Sequence, residues 1–445
     1  MNNYCKVLMC VGFLAGCGGS GSDSGGGTPP VVDTGECSVT NQKQALFDYL
    51  VDDYYWYQDM PQNIDLSNYP TIHELLDSVR VPEDRFSFII SEQQYIDTYV
   101  NANSIMYGVS FRLTGDNQAL DIRFVYDNGS AHDNGMARGD KVVAIDGVAV
   151  STLVQQVNAG ANSWDNILGD DTEGYTGVFT WEKPSGEQVV AELMKTQVDT
   201  NTLLHHEVIN SFEKNVGYMV FNRFIDRSRG DLNVAFNDFA ANGVDNLILD
   251  MRYNGGGLVS VANQLSTQIA GENVAGETFV NLVYNDKNND RNNSSLFDLG
   301  AGIEQLNLDQ VVVLTTSGTC SASEMVVNAL SPFVNVVTVG TDTCGKPVGM
   351  NPVQICDNVI FAINFETTNG IGQGGYFDGL PATCVAQDFI VGDWGDLNDP
   401  LLQEGLYYVG NQQCFADKAP QSKHDMPVNE PIDWTKGPFE HLNVW

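Results

Sequence analysis

The sequence predicts an α/β protein assembled from several parts: a helical N-terminal segment, a β-rich domain and a layered α/β core. Three observations carry that expectation. From about residue 200, short apolar strands alternate with stretches of helical period, the pattern of α/β layers. Between about 104 and 198 the apolar period is that of strands, interrupted by Gly- and Asp-rich turns. The chain also has 445 residues, more than a single core usually holds.

Composition narrows the function classes. With 57 Asp+Glu against 21 Lys+Arg, the formal net charge is −36. Phosphate binding draws its affinity from Lys and Arg, so no nucleic-acid partner is expected. Hydrophobic residues make up 42% and charged residues 18%, enough apolar material for a core and against global disorder.

Residues 1–16 read as a signal peptide. Lys6 precedes the apolar run Val7–Ala15, too short to cross a bilayer, which takes roughly 20 residues. The run ends in Leu14-Ala15-Gly16-Cys17, which resembles the bacterial lipobox and implies lipidation at Cys17. Residues 17–40 form a Gly/Ser-rich tether. The expectation is a bacterial cell-envelope lipoprotein held by its lipid alone, on the periplasmic or surface side of an outer membrane. Six cysteines remain beyond Cys17: Cys37, Cys320, Cys344, Cys356, Cys384 and Cys414. An even number in an exported chain favours disulfides, with the pairing left open, over a metal site, for which no CxxC or HExxH spacing occurs.

The segment 41–103 reads as largely helical. Ala45, Leu46, Tyr49, Leu50, Tyr54 and Tyr55 recur at helical spacing, and Ile72–Val79 is a second short helix. It closes on Asp84-Arg85-Phe86-Ser87-Phe88-Ile89, and its aromatic residues are read as core packing. In 104–198, Tyr107–Leu113 and Leu120–Tyr126 alternate as strands. Ser130–Gly147 then carries a short helix, a Gly139-Asp140 turn, the strand Val142–Ile145 and an Asp146-Gly147 hairpin. This block resembles a bacterial PDZ domain, completed by strands near Val178–Trp181 and Val189–Met194. The resemblance implies capture of a polypeptide C-terminus by strand addition, with Tyr107, Gly108, Val109 and Ser110 in the carboxylate loop.

The core, 199–415, alternates strands (Val216–Phe221, Leu247–Arg252, Val311–Thr315, Val334–Val339) with helices (Ser228–Ala241, Val259–Ile269, Ala322–Leu330), and further strands fall within 355–368. Residues 416–445 form a polar tail. Asp286, Asn288, Asp290 and Asn292 have calcium-loop spacing, but Arg291 and Phe297 stand where such a loop needs Gly and Glu, so a surface hairpin is expected.

Two segments sit at the carboxyl ends of apolar strands, where open α/β sheets bind ligands. They are Ser317–Glu324 and Thr341–Pro347. Ser321 or Ser323 becomes a nucleophile only beside a base, and Lys346 is a base only when neutral. From an unperturbed pKa of about 10.4, neutrality at pH 7 asks for about 4–5 kcal/mol of local desolvation. Against this, Ser321-Ala322-Ser323-Glu324 is also a helix capping box, and Gly345-Lys346 also suits a plain turn.

The order of the PDZ-like block, Leu249-Asp250-Met251-Arg252-Tyr253-Asn254-Gly255-Gly256-Gly257, Ser321-Ala322-Ser323-Glu324 and Gly345-Lys346 resembles the C-terminal processing (tail-specific) serine proteases over roughly residues 41–410. The resemblance implies a crotonase-like ββα core and a Ser–Lys dyad of Ser321 as nucleophile and Lys346 as base. It places the oxyanion hole at the backbone N–H of Ala322 and of Gly256 or Gly257. Asp378–Pro381 and Gly395–Pro400 are similar to the family's closing segments. Where members carry a glutamine that orients the lysine this chain has Met350, with Pro347 in a glycine's place and Ser331 in an aspartate's. Gln354 or Glu324 are the substitutes for the orienting group. Cys320 and Cys344 flank the dyad candidates, and a disulfide between them would fix their separation. The rival pair His205-His206 points to opposite faces of a strand. Asn254–Gly257 lacks either phosphate-loop pattern. The expectation is a serine endopeptidase acting on polypeptides with accessible C-termini, without metal or cofactor; a non-catalytic peptide-binding adaptor on the same fold is the alternative.

Overall fold

The structure, a computed structural model, describes residues 27–415 apart from 62, 299 and 301. The signal peptide, Cys17 and the 416–445 tail lie outside the described residues.

Helices Val39–Asp53 and Ile72–Val79 are capped by Ser38 and Thr71, whose hydroxyls accept from the N–H groups of Asn41 and Glu74. Their apolar faces, including Leu46, Leu50, Leu75 and Leu76, share one cluster with Phe86 and with Ile355, Ile360 and Ile363 from far along the chain. The segment is thereby welded to the core. Its expected helical character breaks at Phe88–Ser91, a strand antiparallel to Asn358–Phe361. Phe-Ile-Ile suits a strand, but its partner is too distant in sequence to leave a local signal.

Strands Asn103–Met106 and Thr196–Asp199 pair antiparallel where the chain enters and leaves the β-domain. Inside it, an antiparallel sheet runs Val109–Leu113, Leu120–Val125, Lys141–Ile145, Thr176–Glu182, Gln188–Met194 in spatial order. Val109–Leu113 is thus an edge strand. Helix Val150–Asn158 closes the domain's core with Val150, Leu153 and Val154.

The core is a six-stranded sheet in the order Leu203–Ser211, Lys214–Phe221, Asn246–Asp250, Gln310–Thr315, Asn335–Gly340, Cys384–Val385, parallel after the first pair. Leu247, Leu249, Val311 and Val313 pack under helices Ser228–Ala241, Val259–Ala270 and Ala322–Leu330. The alternate residues Ile248, Val312 and Leu314 meet helix Pro400–Asn411 on the other face. Asp399 caps that helix and Pro400 opens it, a start signal legible in the sequence. Because three adjacent strands run parallel, the loops after Asp250, Thr315 and Gly340 emerge at one rim.

The Asn-rich loop joins the antiparallel pair Thr278–Tyr284 and Asn293–Leu296. Asp286 accepts from Tyr57 Oη and Asn288 donates to Asp52 O, so these side chains dock the hairpin on the N-terminal segment. No described helix is long and apolar enough to cross a membrane.

Candidate active site

The rim loops converge on one cavity of about 870 Å³ lined by Gly255, Gly257, Ser321, Ala322 and Lys346, among others. Ser321 opens helix Ala322–Leu330 with φ +56° and ψ −115°. A non-glycine residue keeps such a backbone only where its surroundings hold it there. Three ties do so. Cys320 N–H donates to Asn254 O at 3.0 Å, Ser321 N–H donates to a Glu324 carboxylate oxygen at 2.9 Å, and Cys320 is bonded to Cys344. Ser323 is fully buried and its hydroxyl donates to Asn254 O at 2.9 Å. Of the two serines, Ser321 is the one that lines the cavity.

The glycine turn lies directly on Ser321. A Cβ on Gly256 (φ +101°) would sit 2.8 Å from Cys320 O and from Ser321 Cβ, and one on Gly257 (φ +136°) would sit 2.1 Å from Phe224 O. Only glycine fits at either position. Gly256 N–H donates to Asn254 Oδ1 at 2.9 Å, which leaves Ala322 and Gly257 as the candidate oxyanion donors.

Lys346 is buried, 8% exposed. Its ammonium nitrogen stands 5.3 Å from the Phe86 ring centre. Burial lowers its pKa to about 8, against the opposing pull of Asp84 and Glu324. Asp84 is itself fixed by Tyr54 Oη at 2.8 Å and by the N–H groups of Phe86 and Ser87 at 3.0 and 2.8 Å. Arg85 donates to Phe377 O at 3.0 Å and braces the loop around Gly345.

Glu324 connects the two turns. Besides Ser321 N–H, its carboxylate accepts from the N–H of Gly345 at 2.8 Å, the N–H of Lys346 at 2.9 Å and the Thr343 hydroxyl. Burial pushes its carboxyl group up while these donors pull it down. Glu324 therefore positions the Lys346 backbone. Gln354 instead donates to Cys356 O and does not line the cavity, whereas Met350 does. Cys320, Glu324 and Cys344 lie within ligand distance of one another, as do Cys384, Glu404 and Cys414. In both groups the sulfurs are joined as disulfides, which removes the thiolates a metal would need. The third bond is Cys37–Cys356. His205 faces Glu207 and His206 faces Asp238, and neither lines the cavity.

In the β-domain, Tyr107 O accepts from Ala131 N–H and Gly108 O from Tyr126 N–H, so the loop is pinned just before edge strand Val109–Leu113. This domain is fastened to the core by a buried ionic cluster. Arg252 donates to Asp250, Asp388 and Asp399, Arg112 and the Tyr253 hydroxyl to Asp388, and Arg138 to Asp399. Burial pushes Asp388 up, but Arg112, Arg252 and Arg138 outweigh it and hold the group well below the usual carboxylate range.

Residues 215–370 match the model of peptidase family S41, and residues 41–88 match that of the peptidase S41 N-terminal domain. Over these two segments the chain is similar to peptidase family S41. The S41 match contains Gly256, Gly257, Ser321 and Lys346, and the N-terminal match contains Asp84 and Phe86, so the two meet at the lysine amine. The chain is 24% identical over 288 residues to a carboxyl-terminal-processing protease of Picosynechococcus sp., covering 63% of this chain and 64% of that one. It is 24% identical over 279 residues to a carboxy-terminal-processing protease of Bartonella bacilliformis, covering 60% and 59%. These matches span less than two thirds of the relatives' own length. A solved Bacteroides fragilis protein assigned to the S41 proteases superposes with a TM-score of 0.68 at 24% identity, over 83% of this chain and 97% of that one. That likeness concerns the S41 fold.

Two groups of residues at or near the S41 site escaped the sequence reading. Asp84 and Phe86 lie in a stretch read as packing, and Phe86 is indeed fully buried, yet both also set the surroundings of Lys346. Asp250, Arg252 and Tyr253 carry only a family resemblance in the sequence. Their partners Asp388 and Asp399 come from the closing segments, and only the fold brings them together.

Proposed function

We propose that the chain is a lipid-anchored envelope serine endopeptidase, with Ser321 as nucleophile and Lys346 as base. One observation carries the reading: the two side chains line a single cavity, on turns joined by Cys320–Cys344 and by Glu324, with the amine buried. Neutral Lys346 takes the Ser321 hydroxyl proton as Oγ attacks a peptide carbonyl carbon. The resulting oxyanion is held by the N–H groups of Ala322 and Gly257. Collapse of the adduct breaks the C–N bond, and the leaving amine receives the proton from Lys346. Water then hydrolyses the acyl-enzyme, with Lys346 again acting as base.

The β-domain supplies recognition in this reading. A polypeptide C-terminus adds as a strand to Val109–Leu113, with its carboxylate at Tyr107–Ser110. Edge position and the pinned loop support this. Cys17, following its lipobox, anchors the chain to the envelope.

Cleavage of an unstructured polypeptide by wild type, Ser321→Ala and Lys346→Ala tests the chemistry. Activity confined to wild type is expected. Activity that survives Ser321→Ala sinks the nucleophile assignment, and an inert wild type that still binds the polypeptide favours the adaptor. Amidating the substrate C-terminus is expected to weaken binding. Fatty-acid labelling is expected to require Cys17.

A further inference from the structure

The cavity has a wall that the mechanism above does not use. Immediately beyond the Gly/Ser run, residues 30–32 lie against strand Val353–Ile355 as an added parallel strand. Val32 N–H donates to Gln354 O and Gln354 N–H to Pro30 O, both at 2.8 Å, with Val31 opposite Gln354. Side chains alternate accordingly. Val31 points to solvent, 70% exposed, while Pro30 and Val32 line the cavity that holds Ser321 and Lys346. The strap is fastened at both ends. Tyr95 Oη donates to Gly27 O at 2.8 Å, and Cys37, just past the strap, is bonded to Cys356, just past the strand.

Beside the strap, part of the same cavity's lining is aromatic and apolar. Tyr99 stacks on both Tyr95 and Phe361, Phe88 stacks on Phe361, and Met350 packs against the group. All five line the same cavity. Met350 adds a flexible apolar wall four residues from the candidate base.

We propose that the strap, through Pro30 and Val32, closes an apolar chamber that accepts a substrate side chain flanking the cleaved bond, and that Val32 sets the size it admits. This rests on the protease reading. A chamber closed by a strap discriminates by volume, and one methylene-sized misfit in an apolar pocket is worth about ten- to 200-fold.

The test uses the full chain and two unstructured peptides identical except for Phe or Ala beside the cleaved bond. Val32→Trp fills the chamber. It is expected to lower kcat/KM for the Phe peptide about ten- to 100-fold, largely through KM, while the Ala peptide changes less than about threefold. Val32→Ala enlarges the chamber and is expected to shift the Phe-to-Ala preference the other way, toward Phe. The paired Cys37→Ser and Cys356→Ser variant, which loosens the strap, is expected to raise KM for the Phe peptide with kcat retained. A Phe-to-Ala preference that is the same in wild type and in both Val32 variants overturns the proposal, as does an equal loss on both peptides. Equilibrium binding of the two peptides to the Ser321→Ala chain gives a readout independent of turnover: Val32→Trp must weaken only the Phe peptide. Cleavage that is absent in wild type, or indifferent to Ser321→Ala and Lys346→Ala, overturns the protease reading instead, and the binding ratio still judges the strap.

Discussion

Replacing Lys346 with Met should abolish turnover and make the protein more stable at neutral pH. The native amine is held at about 8 against an ordinary 10.5 by burial. At about 1.36 kcal/mol per factor of ten, that difference corresponds to about 3 kcal/mol of folding free energy lost at pH 7. The sign follows from proton counting. Between about pH 8 and 10.5 the unfolded chain binds this proton and the folded chain does not, so wild-type stability rises with pH across that window. The penalty is fully present below about pH 8 and is gone above about 10.5. Met has a similar length and no charge to desolvate. Urea unfolding of both chains with disulfides intact should therefore place Lys346→Met about 3 kcal/mol above wild type at pH 7, and within about 1 kcal/mol at pH 10. In the proposed mechanism the same titration governs catalysis: wild-type kcat/KM should climb about tenfold per pH unit below about 8 and level off above it. A Met variant no more stable than wild type at pH 7, or a gap that does not narrow with pH, refutes the claim that the fold destabilises the charged amine.

Other outcomes follow from the same contacts. Changing Cys320 and Cys344 together to Ser opens a bond spanning 24 residues. It should cost about 3 kcal/mol in unfolding free energy and lower kcat at least tenfold with KM little changed, since Glu324 still joins the turns. Gly256→Ala drives a Cβ into Cys320 O and Ser321; turnover should be lost and thermal stability should fall by about 1–3 kcal/mol. Asp388→Asn leaves Arg112 and Arg252 short of a buried partner and should cost about 3–5 kcal/mol in urea unfolding at pH 6. Because the native carboxylate is held low, its contribution is present above the usual carboxylate range and fades as the pH falls below about 4, so the gap between wild type and variant should narrow there.

How much of this was legible in the sequence depends on whether the cause was local. Helices Ser228–Ala241 and Ala322–Leu330 could be read to the residue, because apolar period, and in the second a capping box, act within a turn or two. The parallel strands were legible as apolar runs with ends uncertain by a residue or two. Strand Phe88–Ser91 was not, since Asn358–Phe361 completes it from the other side of the chain. The site divides in the same way. Ser321, Lys346 and the glycine turn carry recognisable local patterns. The burial of Lys346 depends on Phe86 and its charge balance on Asp84, which no window around 346 contains. Local pattern alone also left Ser321 and Ser323 equivalent. The buried bond from Ser323 to Asn254 O is what separates them.

Glu324 shows why the capping box and the active-site reading do not compete. A box needs Glu324 to reach back to the Ser321 N–H, and it does. The same carboxylate, fully buried, also takes the N–H groups of Gly345 and Lys346. A helix start is thereby converted into a joint between two crossover turns. Cys320–Cys344 repeats that joint covalently, one residue before Ser321 and two before Lys346. Two ties in parallel, one hydrogen-bonded and one covalent, are more than a helix cap requires. They fit the demands of a site that must hold a residue at positive φ against a buried amine, since each arrangement alone would relax: the backbone toward an ordinary rotation, the amine toward solvent.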